Sequence, residues 1–105
     1  MLQSGPVEVR KTEGFERWFQ GLKDKYARGR IATRVKRLAK GHAGDAKSVG
    51  PSVWELRVHV GPGYRVYFTQ VGERIVLLLA GGDKSTQERD IAAAVAIARM
   101  VREGR

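Results

Sequence analysis

The chain has 105 residues, of which 42% are hydrophobic, with no cysteine and a formal net charge of +9. That length supports one compact core but not two ordinary domains, and the lack of cysteine excludes disulfides and thiolate metal sites, as suits a reducing cytoplasm. Apolar runs such as Ile75 to Ala80 are too short to span a bilayer, and the N-terminus lacks the basic region and long apolar core of a signal peptide, so a cytoplasmic protein is expected, with residues 1–6 as a loose tail and residues 7–105 as a single domain.

Val7 to Lys11 reads as a short strand. Thr12 is a candidate N-cap for a helix in which Phe15, Trp18, Phe19 and Leu22 recur at the spacing of one buried face. A second helix, from about Lys25 to Lys40, places Ile31, Val35 and Leu38 on one stripe and Arg30, Arg34 and Arg37 on another, before Gly41 and Gly44 end it. Residues 17–40 hold nine Lys and Arg against the single acid Asp24, so nearly all the excess charge sits there. Such a field favours a polyanion or an acidic protein partner. A solvated helix face is the plainer reading of a charge run taken alone.

The stretch from Trp54 to Lys84 carries the chemistry. Trp54, Leu56, Val58 and Val60 fall on one side of a strand, with Glu55, Arg57 and His59 on the other. Gly61-Pro62-Gly63 supplies a reversal, and a three-residue loop pairs His59 with Arg65, Arg57 with Tyr67 and Glu55 with Thr69 on one open polar face. A slip of one residue would bury both arginines and expose Trp54 and Phe68, so the faces are well determined. Ile75 to Leu79, apolar throughout, reads as a strand covered on both sides. Ser85-Thr86-Gln87-Glu88 reads as a capping box opening a last helix, with Ile91, Ala94, Val95, Ala98 and Val101 inward. The expected fold is α+β in the order β-α-α-β-β-β-α, an antiparallel sheet packed against two N-terminal helices.

On this reading Arg57, His59, Arg65 and Tyr67 share a face with Lys84 nearby, a plausible place to grip or cut a phosphodiester. Cleavage of RNA by its own 2′-hydroxyl requires a base, positive charge for the crowded phosphorane, and an acid or charge stabiliser for the leaving oxygen. Histidine is the side-chain type best suited to proton transfer near neutral pH, so His59 is the first acid/base candidate, with Glu55 as another. Arg57 and Arg65 present paired donors to the nonbridging oxygens, and Tyr67 offers a stacking surface or a proton. The plainer alternatives are a solvent-facing His59 and an Arg65 paired with Glu55. Two histidines far apart in sequence, with His42 in a glycine-rich loop, give no metal signature, and no metal or cofactor is expected. Gly81, Gly82 and Ser85 resemble an anion-binding helix entrance, although a glycine corner before an N-cap is routine geometry.

The blocks FERWFQGLKD, AR-x-RI-x-x-R-x-x-RL, G-x-x-GD-x-K, ELR, GPGYRVYF and LLLAGGDKSTQ, in this order between Phe15 and Gln87, resemble the HigB/RelE-like addiction-module killer proteins of the RelE/ParE toxin superfamily. The resemblance implies the toxin of a type II toxin-antitoxin system, often a metal-independent mRNA endoribonuclease acting at the ribosome and inhibiting translation. It also implies silencing by a cognate antitoxin of helix-turn-helix or other DNA-binding type. Carried over by position, it places Arg57, Arg65 and Lys84 on the phosphate. The pattern has a second basic residue where Glu55 stands, and a tyrosine near where Asp90 stands. The basic second helix, through Arg30, Arg34 and Arg37, is the candidate grip on RNA. Two other readings stay open: a non-enzymatic, ParE-like inhibitor of DNA gyrase, and a non-toxic binding module of the same fold.

Overall fold

A computed structural model describes residues 5–104, so Met1 to Ser4 of the expected tail lie outside the described residues. The elements are β1 (Glu8–Lys11), α1 (Glu13–Gln20), α2 (Lys25–Ala39), β2 (Ala46–Gly50), β3 (Val53–Val58), β4 (Tyr64–Gly72), β5 (Ile75–Asp83) and α3 (Gln87–Arg102), with a 3-10 turn at Lys84–Thr86. The α+β class holds, but the sheet is larger than expected. It has five strands in the order β1-β5-β4-β3-β2, with β1 parallel to β5 and the other pairs antiparallel. The additional strand is β2, an edge strand of sequence Ala-Lys-Ser-Val-Gly that lacks the β-branched and aromatic run that marks a strand. Its conformation comes from pairing with β3, and a bulge between Ser48 and Gly50 interrupts it.

The sheet is buried on both faces by different helices. Leu56, Val58, Val66, Phe68, Val76 and Leu78 project to one side, where Phe15 of α1 and Ile31 and Leu38 of α2 close the main core. Val53, Tyr67 and Leu79 project to the other side, against Ala94 and Ala98 of α3. Full burial of a Leu, Val or Phe side chain contributes about 1.5–3 kcal/mol, so the larger first layer dominates stability. The short Ala side chains let α3 lie close to the strands. Thr12 caps α1 as expected, accepting from the Phe15 amide at 3.0 Å, and its hydroxyl donates to the Leu79 carbonyl at 2.9 Å, tying the chain's start to β5.

Two local expectations are corrected. In the β3–β4 hairpin Arg57 pairs with Arg65, Glu55 with Tyr67 and Val58 with Tyr64, two residues away from the expected register. The loop is five residues, His59 to Gly63, because the chain turns early. The Val60 amide donates to the Val58 carbonyl at 2.9 Å and the Gly63 amide to the Val60 carbonyl at 3.1 Å, with Gly61 at φ +54°. A shift of two preserves every face, which is why the facing was right and the partners wrong. The capping box at Ser85 does not form either. Asp83, two residues earlier, instead caps the 3-10 turn by accepting from the Ser85 amide at 2.8 Å, while the Thr86 hydroxyl turns to Asp90 and gives α3 no side-chain cap.

Two glycines test this packing in opposite directions. A Cβ on Gly81 would lie 2.1 Å from Trp18 Cε3, whereas on Gly29, inside α2, it would meet nothing within 4 Å. Gly81→Ala is expected to lower stability by about 1–3 kcal/mol through overpacking, and Gly29→Ala to raise it by roughly 0.5–1 kcal/mol through helix propensity. Urea unfolding midpoints check both.

Candidate active site

Strand alternation sends Glu55 and Arg57 of β3, and Arg65 and Tyr67 of β4, to the face that α3 partly covers. At the turn preceding α3, Arg57, Arg65 and Lys84 line a cleft of about 480 Å³ together with His59 and the Val60-Gly61-Pro62-Gly63 loop. The structure thus gathers four of the residues singled out in the sequence, Arg57, His59, Arg65 and Lys84. Arg57 and Arg65 are mostly enclosed, with 29% and 11% of their side chains exposed, while His59 is 68% exposed.

Glu55 and Tyr67 are not on the cleft surface, so the expected open face is in part a covered one. Both are fully buried. The Tyr67 hydroxyl donates to Glu55 Oε2 at 3.2 Å, and the Gln87 side-chain amide donates to the same oxygen at 2.7 Å. The other oxygen, Oε1, lies 3.5 Å from Arg57 Nε and 3.8 Å from Arg65 Nη1. Burial, reinforced by Glu55, pushes the Tyr67 hydroxyl far above its ordinary pKa. Tyr67 therefore offers neither a stacking surface to a base nor a readily lost proton, and Glu55 offers no oxygen to a 2′-hydroxyl. Both sequence expectations fail because α3 covers these positions, a tertiary effect that strand alternation does not report.

His59 has a partner that the sequence did not reveal. Its Nε2 lies 2.5 Å from Asp45 Oδ2, in the loop between α2 and β2. The hydrogen bond to His59, with help from the Arg57 charge, holds the Asp45 carboxyl below the usual carboxylate range. Asp45 also reaches Arg57 Nε at 3.9 Å, and its carbonyl accepts the Arg57 amide at 2.9 Å. Asp45 stands in the block G-x-x-GD-x-K, but nothing in its spacing links it to a histidine fourteen residues later. Gln87 was legible only as part of the GGDKSTQ block.

The three arginines expected to share a stripe on α2 separate. Arg34 turns inward from the expected basic stripe: its guanidinium donates to the carbonyl of Arg57 and, from Nη2, to that of Ala43 at 3.1 Å, clamping the Asp45 loop onto β3. Desolvation lowers its pKa, opposed by Asp45. Arg30 and Arg37 are exposed, away from the cleft lining, and Arg30 rests on Tyr26, donating to its hydroxyl at 3.1 Å with the guanidinium carbon 5.9 Å from the ring centre. The glycine corner is no anion cradle, because a Cβ on Gly82 would fall 1.9 Å from Asp90 Oδ2 and a carboxylate already sits over it. Among the described residues no group of three or more His, Cys, Asp or Glu is placed to hold a metal ion, and no helix is long and apolar enough to cross a membrane.

Comparison with known proteins gives this geometry a family. A family model described as Phage derived protein Gp49-like matches residues 17–101. An uncharacterized protein of Haemophilus influenzae is 43% identical over 93 residues, covering 89% of this chain and 94% of that protein. Among solved structures, a double arginine-to-alanine mutant of Escherichia coli toxin RelE in the free state aligns with a TM-score of 0.71 at 16% identity, over 87% of this chain and 96% of that one. The RelBE2 toxin-antitoxin complex of Mycobacterium tuberculosis aligns with a TM-score of 0.52 at 18% identity, over 80% of this chain and 98% of that one. The chain belongs to the Phage derived protein Gp49-like family and shares the fold of the RelE toxin.

Proposed function

We propose that this chain acts as the toxin of a type II toxin-antitoxin pair by cutting mRNA in the cleft of Arg57, His59, Arg65 and Lys84. The observation that carries the reading is the convergence of three permanent or near-permanent cations and one histidine on a single cleft. Backbone cleavage by the neighbouring 2′-hydroxyl passes through a phosphorane with extra negative charge. Cations already fixed in an enclosed wall stabilise that charge without reorganising, which is the largest catalytic effect available to such a site. Arg65, the more enclosed arginine, and Arg57 face the nonbridging oxygens through their donors, and Lys84 adds charge from the turn before α3.

His59 is the proton carrier in this scheme. With Nε2 on Asp45, the ring keeps Nδ1 free to take the 2′-hydroxyl proton or to protonate the leaving 5′-oxygen, and Asp45 fixes the ring orientation as a carboxylate does for other catalytic histidines. The exposed cations of α2, Arg30 and Arg37 among them, provide a second positive surface suited to the phosphates of structured RNA, in keeping with action on ribosome-bound message. The partner chain in the M. tuberculosis complex supports an antitoxin as the silencing partner. A ParE-like action on DNA gyrase is the second reading, favoured by two buried acids, Glu55 and Asp90, standing where the RelE pattern has a basic residue and a tyrosine.

Inducible expression in bacteria with primer-extension mapping of a translated mRNA separates these. Cuts inside the reading frame are expected from the parent, and Arg65→Ala should reduce them by about 100-fold or more. Growth arrest with intact message and trapped gyrase would support the second reading instead.

His59→Ala is expected to abolish most cleavage and to raise the Asp45 carboxyl toward the ordinary range in a carbon-detected NMR titration. Because Asp45 has a depressed pKa in the folded protein, its contact with His59 adds stability above the ordinary carboxylate pKa and loses it as pH falls through the folded value. The variant should accordingly show a shallower loss of stability on the acid side.

A further inference from the structure

Glu55 is a fully buried carboxylate in the wall behind the cleft, and the proton-transfer scheme does not use it. Burying an ion costs several kcal/mol unless other groups compensate it, and the compensation here has a direction. Oε2 is occupied by two neutral donors, the Tyr67 hydroxyl at 3.2 Å and the Gln87 amide at 2.7 Å. Oε1 is left for the cations, at 3.5 Å from Arg57 and 3.8 Å from Arg65. Neither of those approaches is a hydrogen bond: Glu55 Oε1, Arg57 Nε and Arg65 Nε are all buried without a hydrogen-bond partner. The carboxylate therefore balances both guanidinium charges without taking up their donors.

We propose that Glu55 is a positioning residue, which holds the guanidiniums of Arg57 and Arg65 side by side against the cleft while Tyr67 and Gln87 hold Glu55. Arg57 and Arg65 are paired across the hairpin, and without an anion between them two like charges in an enclosed wall repel and swing apart. Tyr67 is suited to its part because it stays protonated and donating. Gln87 is the first residue of α3, so the helix that covers the wall also supplies one of the two bonds that fix the carboxylate. A role for Glu55 as general base is excluded by the same burial. The kinetic consequence rests on the RNA-cleavage reading, whereas the structural one does not.

Glu55→Gln tests this, since glutamine keeps the shape and an acceptor for Tyr67 or Gln87 and removes only the charge. Turnover at saturating RNA is expected to fall by about tenfold to 100-fold, as slight misplacement of catalytic groups does. KM should change by less than about threefold and the pH profile should keep its shape, because ground-state binding and the proton carrier are untouched. In an Arg65→Lys background the same substitution should cost far less, since it acts through Arg65. Independently of activity, the Arg57 and Arg65 Nε–H resonances should be ordered and slow to exchange in the parent and mobile in Glu55→Gln. Parental turnover with unchanged arginine resonances would overturn the proposal, as would additive losses in the double variant or loss of the acid limb of the pH profile. Should the parent fail to cut RNA, the cleavage reading falls and the resonances alone decide. Should Glu55→Gln fail to fold, Gln87→Ala keeps the charge, frees one side of the carboxylate and is expected to loosen both arginine resonances; rigid resonances in that variant would count against the proposal.

Discussion

Two arginines stand next to each other in an enclosed wall because a buried carboxylate lies within 4 Å of both. The rest of the architecture serves that arrangement. The hairpin register sets Arg57 beside Arg65 and Glu55 beside Tyr67, α3 seals the acid from water, and the turn before α3 adds Lys84 to the rim. A cationic cleft on an exposed sheet would be screened by solvent. Covering half of the face with a helix gives the remaining cations a low-dielectric backing, where each charge acts more strongly.

How much of this was legible in the sequence follows from how each feature is encoded. Sheet facing was readable because period-two alternation is local: Trp54, Leu56 and Val58 declare one side and Glu55 and Arg57 the other. Register was not, since it depends on where the chain leaves the ladder, and the early turn at Val60 is set by two backbone hydrogen bonds rather than by any residue type. Strand β2 escaped notice for a related reason, its extended form being imposed by β3. The cleft cations were legible because several Arg and Lys converging on one face are conspicuous. The burial of Glu55 and Tyr67 was hidden because it is produced by α3, whose inward Ala94 and Ala98 say how near the helix lies but not over which residues.

Charge on α2 turned out to do two jobs. Arg30 and Arg37 remain on the surface, as a solvated basic stripe should. Arg34, one turn along from Arg30, instead folds under and donates to the carbonyls of Arg57 and Ala43, with burial lowering its pKa. It thereby holds the loop that presents Asp45 to His59. A count of basic residues treats these side chains as equivalent, whereas one of them is part of the frame on which the cleft is built.

The parallel pairing of β1 with β5 governs the order in which this chain can assemble. Glu8 to Lys11 find their partners only at Ile75 to Leu78, and the Thr12 hydroxyl finds its acceptor only at Leu79. Pairings so distant in sequence form late, after local helices and the hairpin have taken shape. Lys84 and Gln87 come later still along the chain, so a nascent polypeptide emerging from its own ribosome holds two cleft arginines before it has the lysine beside them or the amide that braces their acid. The wall is complete only once the first turn of α3 has been made, so its two arginines exist for a time without the group that braces their acid.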